Sequence, residues 1–357
     1  MFFHRSCLIL TLAAGVSACD VAVPLPIEQT LDRGEATELL RESPNASQQT
    51  YGLRQLERLA ARGDRSAMMV VAGAYRRGEG VEADPARAVT FYEMAAAAGD
   101  LNARRVLIRY YLDESGEFYA PERAETLYSE LVDAGTVDDR LAFAAASNDA
   151  DSPLYDPARA VRLYEALDAE GADVWLVLSE LYLDPEGQTY DPIRGIALLE
   201  REVAADTPDA YMYYGRQFLR GTSVERDFER ANVLFREGAA LGSTRARLQF
   251  AISQIVGRGM PANRRAGLEE LYQTALETDN AGALLQLIQF DAPEYYVSWL
   301  QQKLMTAGYY GGSVNGRMDT ATRDAAELWC AEKGIALDCA VSRPDRETVV
   351  AILRGLR

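Results

Sequence analysis

The chain has 357 residues, 48% of them apolar and 25% charged, with a formal net charge of −17. This is a globular rather than a disordered composition, and its length suits one to three domains. So acidic a chain lacks the basic footprint that phosphate backbones demand, which excludes a nucleic-acid partner.

The N-terminus, "MFFHRSCLILTLAAGVSACD", sets His4 and Arg5 ahead of an apolar run from Cys7 to Val16. The run is too short to span a bilayer and has the layout of a secretory signal. Its end, Val16 to Cys19, resembles the lipobox of bacterial lipoproteins. The resemblance implies that residues 1–18 are a signal peptide and that Cys19 becomes the lipidated first residue of the mature chain. Each buried acyl CH₂ would contribute about 0.8 kcal/mol, enough in sum for a firm membrane anchor. Asp20 resembles an inner-membrane retention signal of enteric bacteria, a rule that varies, so inner and outer membrane both stay open. The expected location is the bacterial cell envelope, as a periplasmic lipoprotein.

Loss of the signal changes the chemistry at hand. His4 is the sole histidine. Without it, Ser-His-Asp and Cys-His nucleophile systems and His-containing zinc sites are excluded. No catalytic residue, cofactor-binding residue or metal ligand is assigned. Cys330 and Cys339 remain, nine apart, and outside the cytoplasm they are expected to form a disulfide worth about 2–3 kcal/mol.

After a tether, residues 19–49, the chain repeats. "DPARAVTFYEMAAAAGD" from Asp84 recurs as "APERAETLYSELVDAGT" from Ala120, "DPARAVRLYEALDAEGA" from Asp156, "DPIRGIALLEREVAADT" from Asp191 and "DFERANVLFREGAALGS" from Asp227. A looser copy starts at Arg265 and an incomplete one at Arg54. One large apolar position tracks through them as Leu56, Tyr92, Tyr128, Tyr164, Leu199, Phe235 and Tyr272, a period of about 36. Each copy follows an apolar segment of helical periodicity, such as "SAMMVVAGAYRRG". Asp84, Asp156 and Asp191 precede a proline, as a helix N-cap precedes its first residue. Gly99, Gly135, Gly171 and Gly242 sit where the helices should stop in a left-handed residue. Each unit is therefore a helix, a turn and a second helix, and stacked units share a continuous core.

The pattern G-x-G-V-x-x-D followed by A-x-x-x-Y-x-x-A-A-x-x-G resembles Sel1-like repeats, relatives of the tetratricopeptide class. Gly78, Gly80, Val81, Asp84, Ala88, Tyr92, Ala95, Ala96 and Gly99 carry it in the first unit. Gly221, Val224, Asp227, Ala231, Phe235 and Gly242 carry it in the fifth. The middle units lack the G-x-G and have longer joints containing Tyr119, Tyr155 and Tyr190. The resemblance covers residues 50–290. It implies an all-α fold, a right-handed superhelical solenoid of helix-turn-helix repeats. A small C-terminal helical module follows.

That module, residues 294–357, resembles peptidoglycan-binding-like domains through Leu300, Gln301, Leu304, Gly308, Tyr309, Tyr310, Gly312, Val314, Gly316, Thr322 and Ala325. Asn315, Asp319, Trp329 and Cys330 depart from the pattern. The resemblance implies peptidoglycan contact through Tyr309, Tyr310 and Asn315; the competing reading packs the tyrosine pair as core. The Cys330–Cys339 link is expected to staple the tail helix, Asp345 to Leu356.

Other chemistry fits poorly. Gly78 and Gly80 are followed by no Lys-Ser/Thr and preceded by no strand, so they are no phosphate loop. The acidic stretch from Asn148 to Ser152 lacks the ligand spacing of a calcium loop. The repeating aspartates read as caps rather than catalytic acids. The favoured function is a non-enzymatic, membrane-tethered scaffold. Its concave face would hold an unidentified envelope protein, with Tyr75, Tyr110, Tyr182 and Tyr214 as candidate exposed contacts; the competing reading packs half of them as core. Two alternatives are a scaffold lipoprotein of an exopolysaccharide (alginate-type) secretion complex, and a cell-wall enzyme.

Overall fold

A computed structural model describes residues 31–356. The signal segment, Cys19 and the first part of the tether lie outside the described residues. Eighteen α-helices and no strand occur among them. The chain divides into two compact units, Met1–Ala134 and Gly135–Arg357.

The first unit holds α1 (Arg33–Glu42), α2 (Ala46–Ala61), α3 (Arg65–Arg77), α4 (Pro85–Ala97), α5 (Leu101–Tyr111) and α6 (Pro121–Ala134). Each helix packs on the next. Leu40, Leu56, Val71, Tyr92, Leu107 and Leu131 lie in one core. Helix α1 replaces the last part of the expected tether. Asp32 Oδ1 accepts from the Glu35 amide at 2.9 Å and Glu35 accepts from the Asp32 amide at 3.0 Å, a capping box. Ala36 and Leu40, one turn apart, then bury against α2.

The glycine pair between α3 and α4 serves geometry. Gly78 ends α3 in the left-handed region, φ 74°. Gly80, φ 67°, lies so close to the preceding pair that a Cβ there would sit 2.8 Å from Leu40 Cδ1 and 3.0 Å from the Gln49 carbonyl oxygen. Asp84 closes the turn twice. Its amide donates to the Tyr75 carbonyl at 2.8 Å, and its carboxylate accepts from the Arg87 amide at 2.9 Å.

The second unit opens with α7 (Val137–Asn148), α8 (Pro157–Ala169), α9 (Trp175–Leu183), α10 (Pro192–Ala204), α11 (Pro208–Arg220) and α12 (Phe228–Ala240). It continues with α13 (Thr244–Val256), α14 (Arg264–Thr278) and α15 (Ala281–Gln289), and ends with α16 (Pro293–Thr306), α17 (Thr320–Glu332) and α18 (Arg346–Gly355). Asp156, Asp191 and Asp227 cap α8, α10 and α12 as Asp84 caps α4. Gly171 and Gly242 adopt positive φ at helix ends, as does Gly99 in the first unit. Gly135 does not, and Asp206, Asp279 and Asp291 take the left-handed position at three further helix ends. The periodic apolar residues Tyr164, Leu199 and Phe235 are buried. In the last copy the buried member is Leu271, 0% exposed, one residue before the expected Tyr272, which is half-buried. The step from Phe235 to Leu271 is 36, so the buried position keeps the period and the aromatic ring stands beside it.

The C-terminal helices do not build a core of their own. Tyr296, Trp299, Leu300, Trp329, Val349 and Ile352 share one cluster with Ala275 of α14 and Leu284 of α15. Cys330 and Cys339 form a disulfide, Cα–Cα 6.5 Å, which ties α17 to the segment leading into α18.

Candidate partner-binding surface

The repeat period places more than apolar residues. In the first unit Glu57 of α2, Tyr75 of α3 and Arg87 of α4 converge. The Tyr75 hydroxyl donates to Glu57 at 2.5 Å, and Arg87 stacks over the Tyr75 ring, 4.8 Å from its centroid. One period on, Tyr111 donates to Glu93 at 2.6 Å while Arg123 pairs with Glu93 at 2.5 Å and lies 4.5 Å over the ring. In the second unit Tyr182 donates to Glu165, which pairs with Arg194 at 2.8 Å. The next turn splits the arrangement. Tyr214 reaches Glu200 at 2.6 Å, while Arg230 lies 4.6 Å over Phe218.

The origin is simple. Each arginine is the third residue after the N-cap of a trailing helix, and each tyrosine sits near the end of the leading helix that the cap residue closes. The two meet whenever a pair of helices closes. Burial, then the bonded carboxylate, pushes the Tyr75 hydroxyl up to about 12. Tyr214 is raised to about 12 by burial and then Glu200. Tyr111 is raised further, again chiefly by burial. These hydroxyls stay protonated donors at physiological pH.

Tyr75, Tyr182 and Tyr214, expected as exposed contacts, are 2%, 5% and 5% exposed. Their rings are core because the helix face that carries them also packs on the neighbouring pair. Tyr75 stacks on Phe91 with centroids 5.8 Å apart. Tyr110 is half-buried between Tyr92 and Phe118. The periodic partner of Tyr75 is Tyr111, 36 residues on, and the spacing alone could have found it. What these residues offer a partner is the polar rim that Glu, Arg and phenol oxygen form above the core.

Beside the second of these clusters runs a groove of about 390 Å³ between α4, α5 and α6. Ala96, Leu107 and Leu127 line its apolar part. Glu93, Arg104, Arg123 and Glu130 line the rest, with Arg104 paired to Glu130 at 3.0 Å. An apolar floor with alternating charges suits a side chain of a peptide. No group of three or more His, Cys, Asp or Glu arranged to hold a metal ion occurs among the described residues.

At the C-terminal helices, Tyr310 is core, and its hydroxyl donates to the Ser313 carbonyl at 2.9 Å. It therefore offers no ring face to a sugar. Tyr309 is half-buried and bonds Glu332 at 2.5 Å. Asn315 is exposed, yet its side-chain oxygen is engaged by Gln301 at 3.0 Å and the Arg317 amide at 2.9 Å. Gln301, fully buried, also accepts from the amides of Asn315 and Gly316 and so fixes the loop. Asp319, a departure from the family pattern, caps α17 by accepting from the Thr322 amide at 2.9 Å.

The Sel1 repeat family matches residues 65–100 and 208–243. These spans correspond to α3 with α4 and α11 with α12. A Sel1 repeat protein from Oxalobacter formigenes is similar in structure, with a TM-score of 0.51 at 20% identity, covering 84% of this chain and 87% of that one. A protective antigen present in uropathogenic Escherichia coli strains, displaying an SLR fold, gives a TM-score of 0.43 at 16% identity, covering 90% of this chain and 75% of its own. No curated protein matches. The likeness to the first of these structures concerns the fold alone. The two segments that match the Sel1 repeat are thus each a helix pair within an array of packed helix pairs.

Proposed function

We propose that the chain is a non-enzymatic scaffold of the bacterial cell envelope, tethered through a lipid on Cys19 and holding a partner protein on its helix-pair repeats. The observation that carries this reading is the pair of Sel1 repeats, whose stacked helices expose grooves such as that between α4, α5 and α6. The lipobox-like end of the signal supports the anchor. In-cell crosslinking followed by affinity capture tests the scaffold. A specific protein should be captured by the wild type and lost when Thr126→Glu and Leu127→Glu fill the groove with charge. Recovery of the same proteins from both would refute that site. Cys19→Ala should move the protein from the membrane to the soluble fraction; an unchanged distribution would remove the anchor.

In this reading the C-terminal helices approach peptidoglycan from the rim around Tyr309 rather than through Tyr310. Co-sedimentation with purified sacculi should fall in Tyr309→Ala. A truncation at Phe290 is a poor control, because it would uncover Leu284 and the rest of the shared core.

A further inference from the structure

A second cleft, of about 280 Å³, lies in the second unit between α9 and α11. Its α11 wall is Tyr213, Arg216, Gln217 and Arg220. Some arginines of this unit meet carboxylates, as Arg194 meets Glu165, Arg201 meets Asp168 and Arg245 meets Asp209, and others, such as Arg226 and Arg236, do not among the described residues. Arg216 and Arg220 have no such ion pair among the described residues. Arg216 is half-buried, held over the Tyr213 ring at 6.0 Å, and Trp175 braces that ring edge-on at 5.8 Å. Burial, reinforced by the neighbouring Arg220, holds the Arg216 guanidinium below its usual range.

Gln217 lies between the two arginines in sequence and is only 7% exposed. Its side chain makes no hydrogen bond with any described residue, and its Oε1 is wholly buried without a donor. A buried amide oxygen without a donor costs the fold free energy in the empty state, and the only carboxylate felt by Arg216 is that of Glu180 across the cleft, with which it makes no ion pair. The opposite wall has the reverse character. Glu180 and Asp184, one turn apart at the end of α9, are exposed acceptors. One wall of the cleft donates and the other accepts.

We propose that this cleft receives a carboxylate carried on a peptide segment of a partner protein. The carboxylate sits on Arg216 and Arg220, and peptide N–H groups face Glu180 and Asp184. The guanidinium fork matches a carboxylate in shape as well as charge. A peptide supplies both carboxylate acceptors and N–H donors, which a simple anion does not. The source is either an Asp or Glu side chain or a chain terminus. This site rests on the scaffold reading but is separate from the α4–α5–α6 groove.

The test is fluorescence anisotropy with the detergent-solubilised full chain and labelled, N-acetylated pentapeptides. One is Ala-Ala-Glu-Ala-Ala with an amidated end, one carries Gln in place of Glu, and one is all-alanine with a free C-terminal carboxylate. At least one carboxylate peptide should bind saturably and about tenfold more tightly than the Gln peptide, a difference of about 1.4 kcal/mol. The one that binds identifies the source. Arg216→Gln and Arg220→Gln should each weaken binding several-fold, and Arg343→Gln should not. Arg220 is exposed, so its variant keeps the test meaningful if Arg216→Gln misfolds, which circular dichroism would show. Equal binding of all three peptides, unchanged affinity in a folded Arg220→Gln, or equally effective competition by acetate alone would overturn the proposal. Failure here with in-cell capture by the wild type intact refutes this cleft, whereas capture of no specific protein by the wild type refutes the scaffold.

Discussion

The Tyr75 hydroxyl donates a 2.5 Å hydrogen bond to Glu57, a residue on the trailing helix of the preceding pair. The bond joins consecutive repeats through a group that can ionise, so stability is linked to alkaline pH. A phenol whose folded pKa lies above its unfolded value binds more protons when folded. Its contribution is whole below about 10, the usual tyrosine value, and is lost as pH rises through the folded value of about 12. Tyr214 acts in the same window. Stability followed by far-UV circular dichroism should therefore decline between pH 10 and 12. Tyr75→Phe and Tyr214→Phe should each flatten that decline while costing about 1 kcal/mol at neutral pH. Equal slopes in wild type and variants would show that these hydroxyls do not set the dependence.

The joint glycines give a second measurement. Gly259 and Gly171 both have positive φ, 67° and 87°. A Cβ at Gly259 would lie 2.5 Å from the Phe228 carbonyl carbon, whereas one at Gly171 meets nothing within 4 Å. Gly171→Ala should thus cost only the left-handed penalty, about 1 kcal/mol. Gly259→Ala adds a backbone clash and should cost about 1–3 kcal/mol more. Urea denaturation separates the two, and equal costs would mean that the close approach carries no energy.

Much of this was legible in the sequence because helix pairs need local signals. Asp84-Pro85 and Gly99 bracket α4 by chemistry that operates over a few residues. The 36-residue period exposed the stacking. What escaped needed two elements at once. Helix α1 has a capping box but no repeat signature, and only its packing on α2 marks it as part of the first unit's core. Tyrosines at interrepeat packing faces look the same in sequence whether their rings face water or a neighbouring helix. Arg216, Gln217 and Arg220 are plainly neighbours on α11, but only the position of α9 makes them one wall of a cleft.

The disulfide should matter to one part of the molecule. Cys330 and Cys339 are buried among Trp299, Trp329, Val349 and Ile352. Releasing a loop of nine residues' separation should lower stability by about 2–3 kcal/mol. All three tryptophans, Trp175, Trp299 and Trp329, lie in the second unit. Tryptophan fluorescence of the Cys330→Ser, Cys339→Ser double variant should report earlier urea unfolding. A coincident midpoint with wild type would mean that packing alone holds α18.

The last prediction runs toward greater stability. Asp291 ends α15 with φ 56°, in a region that a side chain adopts at a cost and glycine adopts freely. The end is a Schellman turn: the Asp291 amide donates to the Ile288 carbonyl at 3.1 Å, and the Ala292 amide to the Leu287 carbonyl at 3.0 Å. Both bonds are backbone bonds, so a substitution leaves them intact. Asp291 also pairs with Arg343, but their side chains are 72% and 60% exposed, and an ion pair so open to water contributes little. Relief of backbone strain should therefore outweigh loss of the pair. Asp291→Gly should raise stability by about 1 kcal/mol in urea denaturation, with Arg343→Gln near neutral. If Asp291→Gly instead destabilises the second unit as much as Arg343→Gln does, the ion pair, not the turn, governs this helix end.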